Sequence, residues 1–194
     1  MKFTQVASNA FQKLQINAGV LLTEFTPASG TLDKTKIFAA TSGGTTFTAA
    51  PEMVDFGEDI DNVPANTKQL ARIDYYTVTL SGTAKTADTT TAKWLVGAAD
   101  VSTDKITPRS DIELTDFHDI WLVGDYGSVN TGNDAGYIAI RLIDAFNTGG
   151  FSIQTNDKGK ADFAFEFTAF YDIEDIDTVP FEIYVHTGST TQSN

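Results

Sequence analysis

Hydrophobic and polar positions alternate most strictly near the C-terminus. Phe163, Phe165 and Phe167 fall on one side of a period-2 ladder and Asp162, Ala164, Glu166 and Thr168 on the other, the pattern of a half-buried antiparallel strand. Phe181, Ile183 and Val185 repeat it. Between them lies an acidic stretch, residues 172–180. Its carboxylates favour solvent and its Pro180 cannot donate to a ladder, so the chain turns there and restarts. Upstream, residues 117–125 predict a strand in which His118, Ile120 and Leu122 alternate with Asp119, Trp121 and Val123, so both faces are at least partly covered. A Gly/Asn-rich loop at 127–136, a strand at 137–146, a turn at 147–150, a short strand at 151–155 and a turn at 156–159 complete a β-meander over 117–186. Short links imply antiparallel pairing.

In the first half, residues 74–82 alternate Tyr76, Val78 and Leu80 against Tyr75, Thr77 and Thr79, which predicts another strand. A helix follows at about 88–100. Asp88 or a nearby threonine can cap it, and Trp94, Leu95 and Ala98 recur at helical spacing, which makes Trp94 a core anchor. Residues 31–68 read differently. A Ser/Thr/Gly stretch at 40–49 leads to an acid cluster of Glu52, Asp55, Glu58, Asp59 and Asp61, and the whole predicts a long loop, which inside a compact domain is functional or disordered. Residues 1–30 form an N-terminal arm whose apolar positions, among them Phe11, Leu14, Val20, Leu21, Leu22 and Phe25, lack a local partner and so dock elsewhere.

The 194 residues, 41% of them apolar, suffice to bury one core, so the chain reads as a single domain. The absence of cysteine removes disulfides and thiolate metal sites and favours folding in a reducing cytoplasm. No run has signal-peptide or membrane-spanning length. A net charge of −13 disfavours nucleic-acid binding, which gains its affinity from Lys and Arg displacing counterions; solubility alone is the plain alternative reading of that charge.

The chemistry of a catalyst does not assemble. His118 and His186 are far apart in sequence, and the acids beside His118 point to the opposite strand face. The glycine-rich pieces lack the Gly-Lys-Ser/Thr ending of a phosphate loop, and residues 55–61 depart from the spacing of an EF-hand. No cofactor or metal is expected, and the acidic runs read as solvated loops.

Four pieces together resemble the major tail protein, or tail tube protein, of long-tailed bacteriophages and prophages: residues 15–26, residues 55–67 leading into 75–83, the helix around Trp94, and residues 160–186. The resemblance implies an antiparallel β-sandwich or barrel with one flanking helix, an extended N-terminal arm and a long loop. It also implies hexameric rings stacked into a tube that passes viral DNA without binding it, with tape-measure, tail terminator and tail-tip proteins as partners, assembled in the host cytoplasm and residing in the virion tail. A tube needs lateral contacts that close a ring and axial contacts that propagate. Thr41, Gly43, Thr45, Phe47, Asp55, Glu58 and Asp59 are the expected axial loop residues, and Asp162 and Glu166 the expected lumen-facing ones. A carbohydrate-binding β-sandwich that uses Trp94 or Trp121 as a stacking platform is the alternative, and it requires an open indole ring.

Overall fold

The computed structural model describes residues 6–7, 9–15, 17–127 and 134–188. Among these, the chain runs through β1 (Val20–Leu22), β2 (Ile37–Ala39), β3 (Thr41–Asp55), β4 (Ala71–Ala84), helix α1 (Thr89–Val96), β5 (Ala99–Ser102), β6 (Lys105–Pro108), β7 (His118–Asp125), β8 (Tyr137–Asn147), β9 (Ser152–Gln154), β10 (Asp162–Ala169) and β11 (Phe181–His186). Every strand pair is antiparallel. Nine strands form one sheet along the path β2-β1-β7-β8-β10-β4-β3, with β11 joined to β8 and β9 to β10; β5 and β6 make a separate hairpin.

The path shows why the sheet cannot lie flat. Its two end strands, β2 and β3, are separated in sequence by Ala40 alone. The sheet therefore folds over until its ends meet at that corner, and Phe38 of β2 reaches Phe167 of β10 edge-on at 5.7 Å. Ala40 is held on both sides, its N–H donating to Thr86 Oγ1 at 3.0 Å and its carbonyl accepting from Lys85 at 2.7 Å. The result is a mainly β, sandwich-like architecture with one flanking helix: the periodicity predicts its antiparallel strands and helix, and the sandwich is what the resemblance implies.

The core fills from the inward positions of each strand. Leu21, Val78, Leu80, Ile120, Leu142, Phe165 and Phe167 are fully or nearly fully buried together, with Phe163 packed beside them. At about 1.5–3 kcal/mol for each large apolar side chain removed from water, this cluster is the main favourable term in folding. A second cluster lies on the opposite face of β7 and β8, where Leu22, Phe25, Trp121, Val123 and Ala139 pack. Strand β7 is thus buried on both faces, as its sequence implies.

Helix α1 is shorter than the expected 88–100. Asp88 caps it by accepting from the Thr91 N–H at 2.7 Å, and Gly97, at φ 87°, ends it; a Cβ there would meet the Phe146 ring at 2.6 Å. Thr91 donates its hydroxyl to the Phe38 carbonyl at 2.8 Å and Leu95 is buried, so the helix closes the corner made by β2.

Three expectations are corrected. The 31–68 region is not a long loop: residues 41–55 form β3, the longest strand, because they find a complete partner in β4. The described part of the 1–30 arm is not free for axial contacts past residue 19, since β1 is inserted between β2 and β7 with Leu21 and Leu22 fully buried. The 117–186 region is not a simple meander. Strands β10 and β11 do not pair with each other but lie end to end along one side of β8, which continues past the positive φ of Asp144 (49°) from one to the other. Consequently Ile183 and Val185, expected inward with Phe181, are about half exposed, and Tyr184 faces the second cluster instead. Most of the 127–136 loop lies outside the described residues.

Candidate assembly surfaces

The β3–β4 hairpin is longer than the core it starts from. Near its base, Phe47, Ala49 and Tyr76 pack on the core, whereas residues 51–54 and 72–75 are exposed on both faces. No second layer covers this distal half, so it stands out from the sandwich. Its tip, residues 56–70, is nonetheless ordered by its own bonds. Asp55 accepts from the Gly57 N–H at 2.8 Å and the Asn66 N–H at 2.7 Å, and these bonds hold its carboxyl below the usual range. Phe56 donates its N–H to the Leu70 carbonyl at 3.1 Å. Gly57 is buried under Leu70 and Val63, where a Cβ would meet Leu70 at 2.8 Å, and Asn62 and Asn66 take the positive φ that the tight path requires.

With its inside occupied by Gly57, Val63 and Leu70, the tip turns its larger apolar groups outward. Phe56 is 63% and Ile60 48% exposed, and Met53, Ile73 and Tyr75 on the stem are similarly open. Glu58, Asp59 and Asp61 lie among them, all exposed. The tip is thus an ordered projection that carries exposed apolar side chains among exposed carboxylates.

The expected axial residues divide between two places. Asp55, Glu58 and Asp59 are together at the tip, as expected. Thr41, Gly43, Thr45 and Phe47 are instead part of the strand at the hairpin base: Thr41 opposes Ala84, Gly43 lies in a bulge at φ 78°, the buried Thr45 hydroxyl has no hydrogen-bond partner among the described residues, and Phe47 meets Phe181 at 5.8 Å. They hold the hairpin to the body rather than forming a loop.

Asp162 and Glu166 share the outer face of β10, opposite the buried phenylalanines, but differ in role. Asp162 is half-buried and ion-paired with Lys85, whereas Glu166 is exposed. The register places Ser81 beside Glu166, Thr79 beside Thr168 and Thr83 beside Ala164, and continues into β3 at Thr46, Thr48 and Ser42. The outer face of β3, β4 and β10 is therefore a run of hydroxyls with one free carboxylate. Such a run resembles loop composition in the sequence, and the alternation of threonine with Val78 and Leu80 is the only signal that marks it.

Neither tryptophan offers an open ring. Trp121 is buried, and Trp94 stacks on His118 at 4.2 Å with the rings nearly parallel and also meets Phe38 at 5.3 Å. Burial of His118 against that ring, together with Lys93, lowers its pKa. Among the described residues no group of three or more His, Asp or Glu side chains converges to hold a metal, and no helix is long and apolar enough to cross a membrane.

No protein-family model matches the chain. No curated protein matches it significantly either.

Proposed function

We propose that this chain is the structural subunit of a phage tail tube, closing into rings of six copies that stack into a conduit for viral DNA. The reading rests on the resemblance in sequence, and one structural observation carries it furthest: the β3–β4 hairpin extends beyond its own core and ends in an ordered tip whose larger apolar side chains are left exposed among the described residues. A second copy is the partner a tube supplies at every level. The edges of the sheet are also suited to it. Among the described residues β2, β3, β9 and β11 each pair with a single strand, and β3 and β11 are among the edges able to accept a neighbour.

The hydroxyl-rich face with Glu166 suits the channel wall, because its lysine, Lys85, is ion-paired with Asp162 and so is a poor place for a phosphate to lodge. Tape-measure, terminator and tip proteins would meet the two ends of such a tube. The glycan-binding alternative is disfavoured by the covered state of Trp94 and Trp121.

The test is electron microscopy and sedimentation of the purified chain at rising concentration. Six-fold rings or hollow tubes are expected. A strict monomer at every concentration would remove the reading.

A further inference from the structure

A groove of about 550 Å³ lies at the C-terminal end of β10, between the segment before β7 and the acidic stretch after β10. Its floor is apolar: Phe117 and Phe170 meet edge-on at 5.3 Å, and Leu114 and Ile173 flank them, each 90% exposed. Its rim is acidic, with Asp144, Asp172 and Glu174 and no ion-paired cation. The guanidinium that acts on Asp144, Arg141, is already bonded to Asp119 at 2.5 Å and Glu182 at 3.1 Å. Burial, with the charges of Asp119 and Asp172, pushes the Asp144 carboxyl up against the opposing pull of Arg141.

The complementary surface is at the other end of the same strand. Residues 151–160, the β9–β10 hairpin and its turn, are exposed throughout; Phe151 and Ile153 stand about half open at β9, and Lys158 and Lys160 follow in the turn, with Asp157 the one acid of the segment and no ion pair on either lysine among the described residues. Strand β10 has eight residues and separates the two surfaces by about 26 Å at roughly 3.3 Å per residue. They cannot meet within one molecule.

We propose that the groove at Phe117 and Phe170 receives the β9–β10 turn of a second copy of this chain, with Phe151 and Ile153 covering the apolar floor and Lys158 and Lys160 facing the Asp172 and Glu174 rim. The contact is heterologous, joining unlike patches, so it repeats from copy to copy and closes into a ring if the rotation allows. It deepens the tube reading and rests on it, by naming one of the surfaces through which copies meet.

Charge reversal tests it. The substitutions K158E and K160E give one variant, and D172K and E174K another; all four positions are exposed, so both fold, as circular dichroism and an unchanged melting temperature verify. Each variant alone sets like charges against each other, and its self-association, read by sedimentation velocity, should weaken at least tenfold. Mixed in equal amounts, the two variants alternate with every turn facing a groove of opposite charge, and association should return. Association of either variant as strong as that of the unmodified chain, or a mixture that stays dissociated, overturns the proposal while leaving self-assembly intact. An unmodified chain that never associates overturns both.

Discussion

The hairpin tip allows folding and assembly to be separated in one variant. Phe56 and Ile60 contribute almost nothing to the core, because the interior of the tip is filled by Gly57, Val63 and Leu70. Replacing both by serine should therefore leave monomer stability within about 0.5 kcal/mol, as for surface substitutions in general. Assembly should respond differently. A large apolar side chain gains about 1.5–3 kcal/mol on full burial, so covering the exposed 63% of Phe56 and 48% of Ile60 is worth about 2–3 kcal/mol for each tip that docks. Losing it should raise the dissociation constant about 30- to 100-fold, at a factor of ten per 1.4 kcal/mol. Sedimentation equilibrium reads the association and urea unfolding the stability. The reasoning fails if tubes form at unchanged concentration, or if the urea midpoint falls in step with association, since the second result would make the tip part of the core.

Two further predictions concern the frame that carries these surfaces. Asp116 is buried and accepts from Arg109 Nη2 at 2.8 and 2.7 Å and from the Glu113 N–H at 3.0 Å. D116N should cost about 2–4 kcal/mol in urea unfolding, less than an isolated buried pair because Asp100 and Glu113 still hold Arg109; a loss under about 0.5 kcal/mol refutes the role. Burial alone would raise the Asp116 carboxyl, but the Glu113 N–H and the Arg109 charge outweigh it and hold it below its ordinary value. A lowered folded-state pKa stabilises above the unfolded value, so the gap between D116N and the unmodified chain should be full above about pH 4 and close as the pH falls below it. Asn147, also buried, donates to the Leu95 and Gly150 carbonyls at 2.5 and 3.1 Å and accepts from the Glu166 N–H at 3.0 Å, joining α1, the turn and β10. N147L keeps the volume but strands three polar groups and should cost at least about 2 kcal/mol by thermal or urea unfolding; a neutral result would mean water replaces the amide.

The strands with two-residue alternation of strongly apolar and polar side chains were legible from sequence, and β4, β7, β8 and β10 lie where the pattern puts them. Strand β3 was not, because Thr41 to Thr48 carries threonine, serine and glycine on both faces and only its pairing with β4 makes it a strand. The same holds for β11. Its alternation is plain and Ile183 shares the face of Phe181, opposite Ile140, but past Phe181 that face is about half exposed, and Tyr184 on the other face packs on the second cluster. For the candidate site, charge pointed to Asp55, Glu58 and Asp59, and the acids masked the apolar residues between them. Phe56 and Ile60, like Ile173 and Ile176 in the other acidic run, are large hydrophobics in segments too polar to be core; that mismatch is the signal that could have found them.

The location of the charge bears on how such a wall would treat DNA. Asp162, one of two acids expected in the lumen, is neutralised by Lys85, so that face relies on Glu166 and on hydroxyls. Dense carboxylates are not required there. A duplex carries a charge every 1.7 Å or so, and at physiological salt fields decay over about 8 Å, so what holds DNA in a channel is a cation close enough to shed a counterion. Lys85 beside that face is committed to Asp162, and Lys158 and Lys160 sit in the exposed turn that precedes β10 rather than within the strand. On this face Asp162 acts by occupying a cation, which leaves a polar surface of hydroxyls along β3, β4 and β10. Converting that surface to lysine at Thr48 and Thr79, which sit opposite each other in the register, should leave the fold and assembly unchanged and give tubes that retain duplex DNA in a salt-dependent manner. Equal retention by unmodified tubes would show that the face does not meet the duplex.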